Sequence, residues 1–258
     1  MAPSSIEFLY GLNPCFEALR AGRRRFYDAF ISESTKDGGR LKKLVALLEK
    51  NRIPISYTDK GRLAQLCGSH EHQGAVIRSE RYPYTPWESL FEEPRLLLLD
   101  NVEDPHNVGA ILRSAEIFGF GGVFLPLKGV PEVYPSVVKV SAGAAEFMKI
   151  ARERDSNRYA REAKDRGYKI LSLDAHGNTL LDSLGGMPAD KVLLVVGGED
   201  KGVGQFILNM SDHIVSIEQC GKVNSLNASV AAGIAMHSLR AAGRSAPVSF
   251  GPPAEGSE

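Results

Sequence analysis

Three polar stretches of this chain carry side chains that can orient a hydroxyl, hold a ligand bearing positive charge, or meet a backbone at close range. In Asn224-Ser225-Leu226-Asn227-Ala228-Ser229-Val230-Ala231-Ala232-Gly233-Ile234, small polar residues run into a helix with almost no bulk. Ser and Asn are poor inside a helix and good at its start, where they satisfy free N–H groups. A helix of Ala, Gly and Ser lets another backbone or a flat ligand come close. A cofactor or an RNA fits such a mouth, and so does a well-capped core helix. Val195-Val196-Gly197-Gly198-Glu199-Asp200-Lys201-Gly202-Val203-Gly204 follows an apolar run. No Gly-Lys-Ser/Thr follows, which excludes a Walker loop, and Glu199 would repel the phosphate of a dinucleotide fingerprint. A carboxylate there suits a cation or hydroxyls, such as a sulfonium with a ribose. A tight strand-to-helix turn with a solvated Glu is the plain alternative.

The third stretch, Leu99-Asp100-Asn101-Val102-Glu103-Asp104-Pro105-His106-Asn107-Val108-Gly109-Ala110-Ile111-Leu112-Arg113-Ser114, joins a buried strand to a helix that begins near Asn107. Ile111, Ala115 and Phe118 define a buried stripe; Arg113 falls off it and is expected to point toward the loop's ligand. Its plain alternative is a polar loop with a capping Asn and a solvated Arg. All three stretches follow apolar runs, and ligands of parallel α/β sheets bind outside the carboxyl ends of strands. The three together fit one site at one sheet edge.

The elements that must position these loops are legible as alternating patterns. Residues 96–99, 122–125, 168–173, 192–196 and 214–217 read as strands; 108–118, 156–166 and 227–240 read as helices. This alternation predicts a largely parallel sheet with helices on both faces. Residues 1–79 read as a smaller α/β unit, with a helix opening at Asn13-Pro14 and strands at 26–31, 53–57 and 74–77. The Pro- and aromatic-bearing stretch 80–94 reads as a linker, with Trp87 packed within it, 95–243 as the second unit, and 244–258 as a disordered tail.

The 258 residues carry a formal net charge of zero and 43% hydrophobic residues, which suits a soluble globular protein without a global basic excess. A local patch still suffices for a nucleic acid. Arg20, Arg23, Arg24 and Arg25 form the first candidate, read equally as a phosphate holder or a solvated helix end. No apolar run is long enough for a bilayer, and Met1-Ala2-Pro3-Ser4-Ser5 lacks the marks of a signal peptide. Three cysteines, Cys15, Cys67 and Cys220, without CxxC spacing fit a reducing cytosol and argue against zinc. His70, Glu71 and His72 have no third ligand nearby and read as solvated rather than as a metal site.

The three loops, in this order, resemble the SpoU (TrmH-like) branch of the SPOUT RNA methyltransferases. The matching residues are Asp104 through Gly109 and on to Arg113, then Gly197-Gly198-Glu199 with Gly202, then Ser225 through Gly233. The resemblance covers about residues 95–243. The front unit resembles the family's substrate-binding domain, related to kink-turn-binding ribosomal proteins, through Tyr10-Gly11, Glu17-Ala18-Leu19 and His72-Gln73-Gly74. Two positions depart: the family usually has Pro at Glu218 and often Val at Ala228.

This resemblance implies an α/β domain with a deep trefoil knot near its carboxyl end, and a homodimer joined through the knot helices. It implies S-adenosylmethionine as cofactor, with backbone contacts from Gly197, Gly198, Ile217 and Leu226, and with Ser225, Leu226 and Asn227 facing cofactor and ribose. The implied reaction is methyl transfer to a ribose 2′-hydroxyl, first of a large-subunit rRNA guanosine, with tRNA or a non-catalytic RNA-binding role as alternatives. Arg113 matches the family's proposed catalytic residue. An arginine stays charged, so orienting the substrate and stabilising an alkoxide suit it better than acting as a base. Asn107, Glu199, Ser225 and Asn227 would orient Arg113 and the substrate ribose. No metal and no membrane are implied, and the expected compartment is the cytoplasm.

Overall fold

The computed structural model describes residues 6–33, 38–184, 191–222 and 225–240. The expected tail at 244–258 and Asn224 lie outside them. In the front unit the elements run β1 (Ile6–Tyr10), α1 (Leu12–Ala21), β2 (Phe26–Ser32), α2 (Gly38–Lys50), β3 (Ile55–Thr58), α3 (Lys60–Cys67) and β4 (Ala75–Glu80). The sheet order is β1-β4-β2-β3, with β4 antiparallel to both neighbours and β3 parallel to β2. Adjacent residues of β4 face opposite ways: Ile77 joins Leu44 and Leu48 of α2, and Val76 packs with Leu63 of α3. Helix α1 opens at Leu12 rather than at an Asn13 cap. Gly11, at φ 93°, makes the corner, and the Leu12 N–H donates to Gln73 Oε1 at 3.1 Å.

The second unit holds β5 (Arg95–Asp100), α4 (Pro105–Ile117), β6 (Gly122–Phe124), α5 (Pro135–Val140), β7 (Lys149–Ala151), α6 (Ser156–Asp165), β8 (Lys169–Leu173), β9 (Thr179–Leu180), β10 (Val192–Gly197), α7 (Gln205–Met210), β11 (His213–Ser216) and α8 (Ala228–Ser238). Its seven strands are all parallel, in the order β7-β6-β5-β10-β8-β11-β9. Leu97 and Leu99 of β5 and Leu194 and Val196 of β10 pack with α4 and α8 on one face. Leu96, Leu98, Leu193 and Val195 pack with Tyr159 of α6 and Ile207 of α7 on the other. Burial on both faces explains why these strands read as unbroken apolar runs.

The stretch expected to be a linker is part of this core. Residues Trp87–Glu92 form a 3-10 helix whose Trp87, Leu90 and Phe91 are buried against β5, β6 and α6. Its aromatics bury more apolar area than a solvated linker offers. Strand β7 and helix α5 have no expectation in the sequence reading. They are three and six residues long, too short for periodicity to mark.

Candidate active site

Because the sheet is parallel, β5, β8, β10 and β11 all end at one edge, and their loops meet there. A cavity of about 380 Å³ opens at this edge. Leu173, Val196, Val215, Ile217, Leu226, Ala228 and Ala231 give it apolar surface, and Asp174, Glu199 and Asp200 add carboxylates. Gly197, Gly198 and Ser225 also line it. A second cavity of about 150 Å³ shares Gly198 to Lys201 with the first and adds Asn101 to Asp104 and Asn107.

Between the two cavities three side chains bond one another. Asn227 Nδ2 donates to Glu199 Oε1 at 2.6 Å and to Asn107 Oδ1 at 2.9 Å, while Asn107 Nδ2 donates to Glu199 Oε1 at 3.3 Å. Asn227 also caps α8, its Oδ1 accepting from the N–H groups of Ser229 and Val230 and from Ser229 Oγ. Both ends of the Asn227 amide are therefore engaged in holding the site. Glu199 Oε2 has no hydrogen bond among the described residues and is open to a hydroxyl or a cation.

The glycines of the β10 loop serve the chain's own backbone. A Cβ on Gly198 would stand 1.9 Å from the Asn101 carbonyl oxygen, and one on Gly197 2.4 Å from the Gly202 carbonyl carbon. Asn101 takes the left-handed conformation at φ 57° to make that approach, and its Nδ2 donates to the Gly202 carbonyl at 3.3 Å. Asp100, buried at the end of β5, fixes the far side of the loop. Its Oδ2 accepts from the Gly204 N–H at 2.8 Å and its Oδ1 from Ser156 Oγ at 2.6 Å. The Gly198 N–H donates to the Asp100 carbonyl at 2.9 Å.

Three expectations are corrected here. Helix α4 starts at Pro105 under an Asp104 cap, so Asn107 lies inside the first turn and bonds Glu199 and Asn227 rather than serving as the cap. Within the single chain Arg113 lies away from both cavities. It stands six residues beyond Asn107, about 9 Å further along α4 and about 240° around it. It is exposed, lines neither cavity, and makes no hydrogen bond or ion pair among the described residues. His72 is not solvated: it is buried, its Nδ1 accepts the Gly74 N–H at 3.0 Å, and burial lowers its pKa.

The basic run from the last turn of α1 into the segment after it divides in two. Arg20 is exposed and paired with Glu17 at 2.8 Å, and Arg25 is exposed beside the Tyr27 ring. Arg23 and Arg24 turn inward and are unavailable to a phosphate. The Arg24 side chain is fully buried between Glu146 and Glu7. Arg23 donates to the Met148 and Pro83 carbonyls and to Tyr82 Oη. Burial here demands complete pairing, and the second unit's 3-10 helix Ala144–Phe147 supplies the partner Glu146. Burial also holds the Glu146 and Glu7 carboxyls above the usual carboxylate range despite Arg24.

Sequence reasoning missed Asp174 and His176 in the cavity wall, and gave no role to Gln219 there or to Asp100 behind it. Asp174-Ala175-His176-Gly177 follows the apolar strand β8, so the rule that marked the other loops also marks this one. Among the described residues there is no group of three or more His, Cys, Asp or Glu placed to hold a metal, and no helix long and apolar enough to cross a membrane.

A parallel sheet with a polar-rimmed cavity at its carboxyl edge defines a ligand-binding α/β domain, and the comparisons say which. Residues 94–237 match the SpoU rRNA Methylase family, and residues 8–85 match the domain described as RNA 2'-O ribose methyltransferase substrate binding. The chain belongs to the SpoU rRNA methylase family and is an RNA methyltransferase by class. It is 33% identical over 241 residues to YacO of Bacillus subtilis, whose name puts it in the TrmH family of tRNA/rRNA methyltransferases; the match covers 90% of this chain and 94% of that one. It is 36% identical over 236 residues to an uncharacterized tRNA/rRNA methyltransferase of Mycolicibacterium paratuberculosis, covering 89% and 75%. The fold is also that of the SpoU methyltransferase AviRb from Streptomyces viridochromogenes, solved with AdoMet, with TM-score 0.74, 22% identity and 91% and 89% coverage.

Proposed function

We propose that this protein transfers a methyl group from S-adenosylmethionine to a ribose 2′-hydroxyl in RNA, with a guanosine of large-subunit rRNA as target. The observation that carries the reading is the Asn107–Glu199–Asn227 cluster, whose Glu199 lines the 380 Å³ cavity. The cavity fits the cofactor: Val215, Ile217, Leu226 and Ala231 offer a flat base apolar contact, and Asp174, Glu199 and Asp200 suit ribose hydroxyls and a cation. Bound there, S-adenosylmethionine supplies an electrophilic methyl.

The chain's residues then have to orient the hydroxyl and favour its loss of a proton. Asn227, with its own groups occupied, positions Asn107 and Glu199. The open Glu199 Oε2 accepts from the ribose hydroxyl. Arg113 offers a permanent cation for the developing alkoxide. Its place away from the cavity is met by a homodimer. Arg113 and the exposed Ile117 share one face of α4, and α8, which packs on α4, exposes Val230 and Ile234. A second copy covering this face buries those apolar side chains and sets Arg113 at the seam. The knotted path is supported by β10 lying between β5 and β8 while α8 returns to α4. A reducing cytoplasm suits three free cysteines.

Calorimetry with S-adenosylmethionine tests the site: absence of affinity leaves only a non-catalytic RNA-binding role. Mapping 2′-O-methyl groups in RNA from cells lacking the protein tests the target. A missing rRNA guanosine methyl is expected; a missing tRNA methyl instead would move the assignment to tRNA.

A further inference from the structure

We propose that a pocket between the amino end of α3 and the His70–Gly74 loop is a phosphate subsite that grips the RNA backbone next to the domain junction. The inference rests on the RNA-methylating reading and adds where the front domain holds its substrate. The pocket has a volume of about 400 Å³ and is lined by Lys60, Gly61, His70, His72, Gln73 and Gly74, with no carboxylate in its wall. Asp59 is occupied in capping α3, and Glu71 lies outside the lining.

The wall is rigidly built. His72 is buried; its ring accepts the Gly74 N–H and bonds the backbone of Lys60, tying the loop to α3. Gln73 takes φ 53°, a conformation that a side chain rarely adopts, and uses its Oε1 to cap α1. Its Nε2 has no hydrogen bond among the described residues.

The second unit contributes a cation to the same place. A Cβ on Gly11 would meet Lys139 Nζ at 2.8 Å and Gln73 Oε1 at 3.2 Å, so the α5 ammonium and the Gln73 amide lie on either side of Gly11, beside the pocket. Lys139 is half-buried, and neither it, Lys60 nor His70 forms an ion pair among the described residues. Lys60 and His70 in the wall, Lys139 beside it and the unused Gln73 amide thus gather donors at a pocket whose lining holds no carboxylate. Such an array favours an anion. Contacts of this kind position an RNA without reading its sequence.

The test uses the full chain, with protein-free rRNA and bulk tRNA as probes. Affinity is measured across salt concentrations for wild type, Lys60→Glu, and Lys60→Ala combined with Lys139→Ala. The double variant is expected to bind its preferred RNA about tenfold more weakly, with the log–log salt slope reduced by about one to two. Lys60→Glu should weaken it further, and Lys139→Arg should restore binding where Lys139→Ala loses it. S-adenosylmethionine affinity and the unfolding midpoint should stay at wild-type values. Unchanged RNA affinity and salt slope in the variants, with wild type binding normally, overturns the subsite alone. If inorganic phosphate saturably shifts the His70 ring resonances while the variants leave RNA affinity intact, the pocket serves free phosphate and the RNA assignment fails. A wild-type protein that binds neither RNA overturns the proposed function as well.

Discussion

Arg24 and Arg113 are the same residue type in two opposite settings. Arg24 is enclosed where the two units meet, its guanidinium held by Glu146, Glu7 and the Glu80 carbonyl. Arg113 stands on the outer face of α4 with no partner among the described residues. A buried arginine with four of its five N–H donors used inside the fold fixes geometry and is closed to a substrate. One that the fold leaves unpaired costs the chain nothing to lose structurally, so a requirement for it would come from function. The two sites therefore separate stability from turnover, and substitutions can test that separation.

The largest effect is expected at Arg113. Arg113→Ala should lower kcat by about 10²–10³, the scale for removing one group aimed at developing charge. Its unfolding curve and S-adenosylmethionine affinity should match wild type, because no bond within the chain is lost. Near-normal turnover with intact RNA binding would remove Arg113 from the mechanism. Arg24→Ala should do the reverse in kind. It leaves Glu146 buried without its partner, and breaking such a pair typically destabilises by about 3–5 kcal/mol. Urea unfolding measures this; a loss below about 1 kcal/mol would mean the junction is not held by this pair.

Asn227 lies between these extremes, because one side chain both caps α8 and holds Asn107 and Glu199. Asn227→Ala should destabilise by about 1 kcal/mol through the lost cap and also reduce turnover. Asn227→Ser keeps a capping oxygen and lacks the amide that reaches Glu199. It should therefore retain wild-type stability and share the turnover defect of Asn227→Ala. Equal turnover in Asn227→Ser and wild type would reduce Asn227 to a cap.

The same contrast explains what the sequence could reveal. The loops at Asn107, Glu199 and Asn227 were legible because polar residues follow unbroken apolar strands, and a parallel sheet sends every such loop to one edge. Ser225, Leu226, Ile217, Gly197 and Gly198 do reach the cavity. The direction of Arg113 was not legible, since leaving the buried stripe of a helix does not say which neighbour the side chain meets. The run Arg23-Arg24-Arg25 was misleading for a related reason. Its inward members are fixed by Glu146, more than a hundred residues away, and one charge run carries no sign of that distant acid. The same long-range packing turned a Pro-bearing linker into a buried 3-10 helix.

The smallest expected effect is a pH dependence at the junction. Burial keeps the Glu146 and Glu7 carboxyls above their ordinary value of 4.5 in the folded protein, so the folded chain binds these protons more tightly than the unfolded one. Their contribution to stability is full below about 4.5 and fades as pH rises through the folded values. Asp212 runs the other way. Burial raises it, but Lys164 and the Ile170 N–H outweigh that and lower its pKa, so its contribution is lost on acidification. Glu146→Gln removes the Glu146 share of the first effect and leaves Asp212 untouched. The difference in unfolding free energy between wild type and Glu146→Gln should therefore shift in favour of wild type as pH falls from neutrality toward 4.5, with Asp212 cancelling in the subtraction. A difference that stays flat, or moves toward Glu146→Gln, would mean that Arg24 keeps Glu146 ionised at the ordinary value and that its pairing outweighs burial.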